Sequence, residues 1–423
     1  MTAAIVLFAV TYVLMLSFGQ YRPYIALASG VLYIVTGMLP LGAVLGAIDF
    51  NVLLMIAGTM GLVALFIESK MPSLLADLIM ERVPNVQMAA VALALFAGII
   101  SAFVDNVATV LMLAPVAMAI CKKLDTNPVP FIIGIAVSSN LQGAATLVGD
   151  TTAIMLGSYA GMSFTDFFIY NGKPSMFFAV ELGAILSALI LALIFRKEKA
   201  AIPKGNGRTV VTDYVPTVLL VGAIVLLICA SFVPNKPDVT NGVICTVLML
   251  VGAVYHYIRR KELQAFLLPL KAIDFQTIGL LLGLFLMIGG ITAQGVIDAA
   301  AGLLANAGGG DLFTLYTVIV VASVLISAFI DNIPYVATML PVITGLASVL
   351  GIDPTVLYFG LLSGATLGGN CTPIGASANI TAIGLLNKEG YTVKNGDFMR
   401  MGIPFTLAAV IPAYIYIWLF YGA

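Results

Sequence analysis

SAFVDNVATVLMLAPV (101–116) and SAFIDNIPYVATMLPV (327–342) lie 226 residues apart and are identical at eight of sixteen positions. Each is apolar apart from a few hydroxyl residues and an Asp-Asn pair near its middle, Asp105-Asn106 in one and Asp331-Asn332 in the other. At the same offset, NLQGAATLVGDTTAI (140–154) falls without a gap on TLGGNCTPIGASANI (366–380). Leu141/Leu367, Gly143/Gly369, Thr146/Thr372, Gly149/Gly375 and Ile154/Ile380 match there, and AIDF recurs at 47–50 and 272–275. A single register across polar motifs embedded in apolar sequence marks an internal duplication. The copies are 1–195 and 214–423. The basic, polar segment 196–213, interrupted by Pro203, Gly205 and Gly207, separates them.

The surrounding composition sets the solvent. Of 423 residues, 61% are apolar and 9% charged, with mean hydropathy +1.10. Soluble domains run at roughly 45–50% and about 25%. The apolar runs are continuous, which excludes the alternating strands of a membrane β-barrel. Runs at 2–19, 24–41, 50–68, 128–160 and 174–195 are long enough to cross a bilayer, which takes about 20 residues. So are 215–233, 239–257, 275–294, 354–386 and 402–421. The run beginning near Ala3 has no basic segment before it and reads as a retained span. The stretches 86–122 and 312–350 each return the chain to the side it left, as a re-entrant hairpin or as two crossings. The sequence therefore predicts an all-α polytopic membrane protein with about ten spans, two re-entrant hairpins and broken helices.

Five crossings per copy require the two repeats to be inverted relative to one another. With 196–213 in the cytoplasm, seventeen of nineteen bases fall on that face and only Lys173 and Lys236 on the other, as the positive-inside rule demands. This predicts a multi-pass protein of the cell's inner (plasma) membrane with basic loops in the cytoplasm and both termini outside.

Twenty acids balance nineteen bases, which gives no footprint for nucleic acid. Cys121, Cys229, Cys245 and Cys371 are dispersed and His256 is the sole histidine, so no zinc or haem site and no cofactor is expected. No nucleotide-binding loop is present, and direct drive by ATP would need a separate ATPase subunit.

Inverted halves with broken helices at matching positions are the architecture of secondary transporters. A break is tolerated at membrane depth only where protein or a water-filled cavity receives the freed backbone groups. Four breaks are expected: the two Asp-Asn tips, Gly143–Asp150 and Gly368–Asn379. Asp105 is the only charge between Phe96 and Ile120, and Asp331 the only one between Leu312 and Leu350. A carboxylate at membrane depth costs at least about 2.5 kcal/mol unless paired or neutralised. Asp105, Asn106, Asp331 and Asn332 are thus candidate sodium ligands or proton carriers, and capping of the helix that follows by each aspartate is the lesser, compatible alternative. Thr109, Thr146, Thr372 and Ser377 offer hydroxyls, with bonding back to the chain as the alternative. Gly143, Gly149, Gly369, Gly375, Asn370 and Asn379 complete the candidate ion and substrate site, together with Asp150, whose counterpart Ala376 is uncharged. Asp49, Asp274 and Glu68 read as solvated helix ends. No Lys or Arg lies in either hairpin core or Gly/Thr break, so an anion would have to be held by amides, hydroxyls, helix dipoles and a co-bound cation.

DNVATVLMLAP (105–115), DNIPYVATMLP (331–341) and GGNCTPIGASANI (368–380) resemble the ion transporter superfamily, in particular its arsenite efflux permeases and NhaD-type sodium–proton antiporters. The resemblance implies an elevator-type carrier, commonly a homodimer, with an ion site at each tip. The related divalent-anion–sodium symporters carry Ser-Asn-Thr at both tips. Here aspartate replaces the serine, and Val107 or Ile333 the threonine. That departure favours exchange of protons or sodium against a small inorganic ion or solute. Proton- or sodium-coupled symport of a di- or tricarboxylate is the alternative. A channel and an intramembrane aspartyl protease are more distant readings. The protease would need its two acids to share a proton, whereas each aspartate here sits in its own copy beside an asparagine.

Overall fold

The structure, a computed structural model, describes residues 1–124, 126–202, 208–307 and 311–422. Pro203, Lys204, Gly205 and Gly207 of the linker lie outside the described residues. The first half holds α1 (Thr2–Ser17), α2 (Arg22–Val35), α3 (Val44–Ala47), α4 (Phe50–Glu68), α5 (Met71–Met80), α6 (Val86–Ser101), α7 (Asn106–Leu124), α8 (Val129–Gly143), α9 (Thr151–Tyr159) and α10 (Met176–Ile194). The second holds α11 (Val215–Ser231), α12 (Thr240–Arg260), α13 (Leu263–Lys271), α14 (Phe275–Ala293), α15 (Val296–Ala307), α16 (Leu312–Ser327), α17 (Asn332–Leu350), α18 (Thr355–Gly368), α19 (Ser377–Lys388) and α20 (Asn395–Tyr421). The starts of α6, α7, α8 and α9 recur 226 residues later as those of α16, α17, α18 and α19.

The chain is an all-α polytopic membrane protein. Helices α4, α7, α10, α12, α14, α17 and α20 are each long and apolar enough to span a bilayer. The runs read as 2–19 and 24–41 become α1 and α2, of 16 and 14 residues, bent by 117° at the corner between them. Three short helices, α5, α13 and α15, lie between the long apolar runs of the sequence. At nine to twelve residues they are too short to register as spans. A two-stranded hairpin, Ile169–Tyr170 with Lys173–Pro174, lies between α9 and α10, where no apolar run predicts an element.

Packing crosses the halves. α4 lies on α12 and its counterpart α14 on α2, while α7 meets α19 and α17 meets α9. Small residues allow these crossings, as is common between membrane helices. A Cβ on Gly58 would sit 2.5 Å from the Cys245 carbonyl carbon, and one on Gly283 would sit 2.3 Å from that of Ala26. One group of helices, α2, α4, α12 and α14, thus forms a cradle from both repeats. The tips and breaks belong to a second group, α6 to α9 with α16 to α19.

The linker does more than separate the repeats. Val86 and Gln87 donate backbone hydrogen bonds to Ala200 (3.0 Å) and Glu198 (2.8 Å). Thr209 bonds Asp77 through its amide (2.8 Å) and hydroxyl (2.6 Å). Arg208 makes a two-pronged pair with Glu81 (2.7 and 2.8 Å), which holds that carboxyl below its ordinary range.

Candidate functional site

Both tips are built alike. After α6 the chain leaves helical geometry at Phe103–Asp105, and the Ala108 amide donates to Asp105 Oδ2 (3.0 Å), capping α7. After α16 the Ile333 amide donates to Asp331 Oδ1 (3.2 Å), capping α17. Each Gly/Thr break is fastened to the neighbouring tip. Thr146 donates its hydroxyl to the Ala102 carbonyl, and Thr372 to that of Ala328. A Cβ on Gly149 would lie 2.6 Å from the Gly143 carbonyl oxygen and 2.8 Å from those of Ser101 and Ala102. One on Gly375 would meet the equivalent oxygens of Gly369, Ser327 and Ala328 at 2.5, 2.7 and 2.9 Å. Glycine is needed for close approach, because any side chain would drive break and tip apart.

A polar chain joins the two units. Asn106 Nδ2 donates to Asn140 Oδ1 (3.1 Å), and Asn140 Nδ2 donates to the Thr366 carbonyl (2.7 Å) and to Asn370 Oδ1 (3.0 Å). Asn140 and Thr366 are repeat counterparts, so the contact lies where the copies meet. Asp150 caps α9 through the Thr151 amide (2.9 Å), accepts the Thr152 hydroxyl (2.6 Å), and receives Asn332 Nδ2 from the other half (3.4 Å).

A cavity of about 400 Å³ opens between α4 and these elements. Asp105, Asn106, Asp150, Asn332 and Ser377 line it, with Asp274 also on its wall. Among the described residues, no Lys or Arg lines it. A second cavity, of about 800 Å³, is its repeat counterpart. Met60, Val63, Ala64 and Ile67 of α4 line the first, and Phe285, Ile288, Gly289 and Thr292 of α14 the second. The second is bounded by Ala337, Leu340 and Pro341 of α17 and by Asp49 and Asp238, without either tip. Asp274 and Asp49, read from sequence as solvated helix ends, thus mark the two cavities, while Glu68 pairs with Arg260 (2.6 Å).

The remaining candidates are arranged around the cavity. Thr109 bonds back to the Asp105 carbonyl (3.0 Å). Thr146, Thr372 and the four glycines build the scaffold of the breaks. Asn370 is fully buried and donates to the Val137 carbonyl (2.9 Å). Asn379 donates to the Gly369 and Thr372 carbonyls (3.1 and 3.0 Å). Asp331 accepts the Ser377 hydroxyl (3.1 Å) and pairs with Arg22 Nη1 (3.5 Å). The sequence reading grouped Arg22 with the basic loops and missed this pairing, since nothing in the hairpin sequence points to a base three hundred residues away. Asn140 and Thr152 were missed too. Asn140 carried a usable signal, being an amide inside an apolar run opposite Thr366 in the repeat.

Repeated broken-helix elements around cavities of this kind are the architecture of a membrane transporter, not an enzyme. The comparisons agree. A family model described as "Citrate transporter" (CitMHS) matches residues 12–261 and again 244–423. The chain belongs to this citrate transporter family, within the ion transporter superfamily. It is 29% identical over 99% of its length to "Uncharacterized transporter Rv2684" of Mycobacterium tuberculosis, covering 98% of that protein. It is 34% identical to a "46 kDa membrane protein" of Mycobacterium leprae, over 76% of this chain and 74% of that one. The crystal structure of the Alcanivorax borkumensis YdaH transporter has the same fold, with TM-score 0.62 and 16% identity over 93% of this chain and 89% of the other.

Proposed function

We propose that the protein is a secondary active transporter in which a proton or sodium ion, held between Asp105 and Asp150, drives movement of a small inorganic ion or solute. Arsenite-type efflux and sodium–proton exchange are the forms this takes in the permeases that the tip sequences resemble. The observation that carries the reading is the cavity itself. It holds Asp105 and Asp150 together with Asn106, Asn332 and Ser377, and no basic residue lines it among the described residues. Two carboxylates in a poorly solvated space repel one another and draw a cation. Amide and hydroxyl oxygens beside them suit sodium or a proton relay.

Transport follows from the two cavities. They are repeat counterparts, yet in this conformation only the one at Asp274 reaches the tips. Sliding the tip-bearing helices against the cradle exchanges the cavities and moves the site between faces of the membrane. The basic loops face the cytoplasm of a plasma membrane in this reading, and a homodimer supports the motion. A second reading, cation-coupled symport of a di- or tricarboxylate, is favoured by the family's description. Against it stand the acids of the cavity and the absence of a lining base.

The test is reconstitution in liposomes, recording proton and sodium movement while arsenite, sodium and citrate are offered in turn. Gradient-dependent flux that Asp105→Asn abolishes is the expected result. Citrate-dependent cation uptake would establish the second reading. Full transport by both Asp105→Asn and Asp150→Asn would remove the coupling role.

A further inference from the structure

The two tips are alike in backbone but not in charge. The Asp105 side carries two acids, because Asp150 stands where the other copy has Ala376. The Asp331 side carries one acid and one base. Arg22 opens α2, in the cradle, and its Nη1 lies 3.5 Å from Asp331 Oδ2. Both side chains are largely shielded, at 22% and 10% exposure. Arg22 is aimed by a second bond, from Nε to the Met15 carbonyl (3.2 Å) at the α1–α2 corner. The cradle crossing of Ala26 with Gly283 recurs as Cys245 with Gly58, which places neutral Asn241 at the position in α12 matching Arg22. Nothing in the duplication requires a base there. It belongs to one copy alone.

A guanidinium keeps its charge at every working pH. Paired with Asp331, it supplies the positive charge that a bound cation would otherwise bring. Because Arg22 sits on the cradle and Asp331 on the group that carries the tips, any sliding between the groups parts them. We propose that Arg22 is a built-in competitor for a second cation at the Asp331 tip, neutralising Asp331 in the conformation open toward Asp274 and leaving it bare in the other. Arrival at the Asp274 side then expels a cation from Asp331, and departure lets Asp331 take one up. The inference rests on the transport reading above but concerns the other tip.

The experiment measures cation uptake by purified protein in detergent, with sodium-22 for sodium and pH-stat titration for protons. It uses wild type, Arg22→Gln, Arg22→Lys, Asp105→Asn and the double variant R22Q/D331N. Arg22→Gln is expected to take up cation at a concentration at least about tenfold lower, equivalent to about 1.4 kcal/mol. Arg22→Lys should stay near wild type, and R22Q/D331N should lose the gain. An unchanged midpoint in Arg22→Gln, or a gain that persists in R22Q/D331N, overturns the proposal. Uptake that depends on Asp105 with no effect of Arg22 removes this inference alone. Absence of uptake of either ion in every variant removes the coupling reading and this one with it. Should Arg22→Gln not fold, R22Q/D331N is expected to recover a monodisperse protein, and a double variant that is no better refutes the pairing.

Discussion

The Asp105 and Asp331 tips share a helix–loop–helix frame, a capping carboxylate, a following asparagine and a threonine-clamped break. They differ in what surrounds the acid. Asp105 shares its cavity with a second acid, Asp150, and, among the described residues, no base, while the preceding Val104 packs in one apolar cluster with Leu220 and Ala223 of α11. Asp331 pairs with Arg22, and three residues on, the Pro334 carbonyl accepts the Tyr12 hydroxyl of α1 (2.8 Å). Duplication preserved the backbone device, since broken helices need the same hydrogen-bond closure in either orientation. Side-chain charge was free to diverge, and the divergence makes one tip acidic and the other balanced.

The largest effect that tests this contrast is at Asp105. Asp105→Asn should lower gradient-driven flux by more than about tenfold, a loss above about 1.4 kcal/mol, read in proteoliposomes. An Asp105→Asn protein with normal flux would erase the distinction between the tips. Asp150→Ala turns the first break into the second, which has Ala376. Its flux should fall less than that of Asp105→Asn, and its cation affinity should fall with it, measured by sodium-22 binding.

Glycine substitutions test what the tips share. Gly149→Ala and Gly375→Ala should each destabilise by about 1–3 kcal/mol, the usual range for overpacking, read as thermal unfolding in detergent. Unequal losses would show that the frames are less alike than their carbonyl contacts suggest. Asn140→Ala leaves Asn106 and Asn370 each short of a buried partner, with an expected cost of about 1–3 kcal/mol in the same assay.

The smallest effect lies away from both tips. Glu81→Gln should leave flux unchanged and speed tryptic cleavage at Arg208. Since Arg208 lowers the Glu81 carboxyl from its ordinary 4.5, the ionised pair is intact above that range and weakens only as pH falls through the lowered value. Cleavage resistance that stays constant from pH 8 to pH 6 is the matching control.

Much was legible beforehand because the signals were local. Apolar run length predicted the long helices, and the 226-residue offset predicted where α6 to α9 recur. Isolated acids in apolar sequence drew attention to Asp105 and Asp331. Shorter signals failed. The helices α5, α13 and α15 have the length of ordinary loop segments, and the linker's ties to residues 77–87 depend on contacts far along the chain. Of the residues singled out, Asp105, Asn106, Asp150, Asn332 and Ser377 line the cavity. Thr109, Thr146 and Thr372 spend their hydroxyls on backbone carbonyls, a choice that depends on where the tip lies in space.

The sequence by itself determined a duplicated, helical membrane protein with acids at its breaks, because hydropathy and helix-breaking chemistry act over a few turns of chain. Only the tertiary structure decided which charges meet. It brought Asp150 to Asn332 and Arg22 to Asp331 across the halves, and placed Asp105 with Asp150 around one cavity. Electrostatic pairing depends on distances of a few ångströms between residues hundreds of positions apart, and those distances are set by how the two copies interlock.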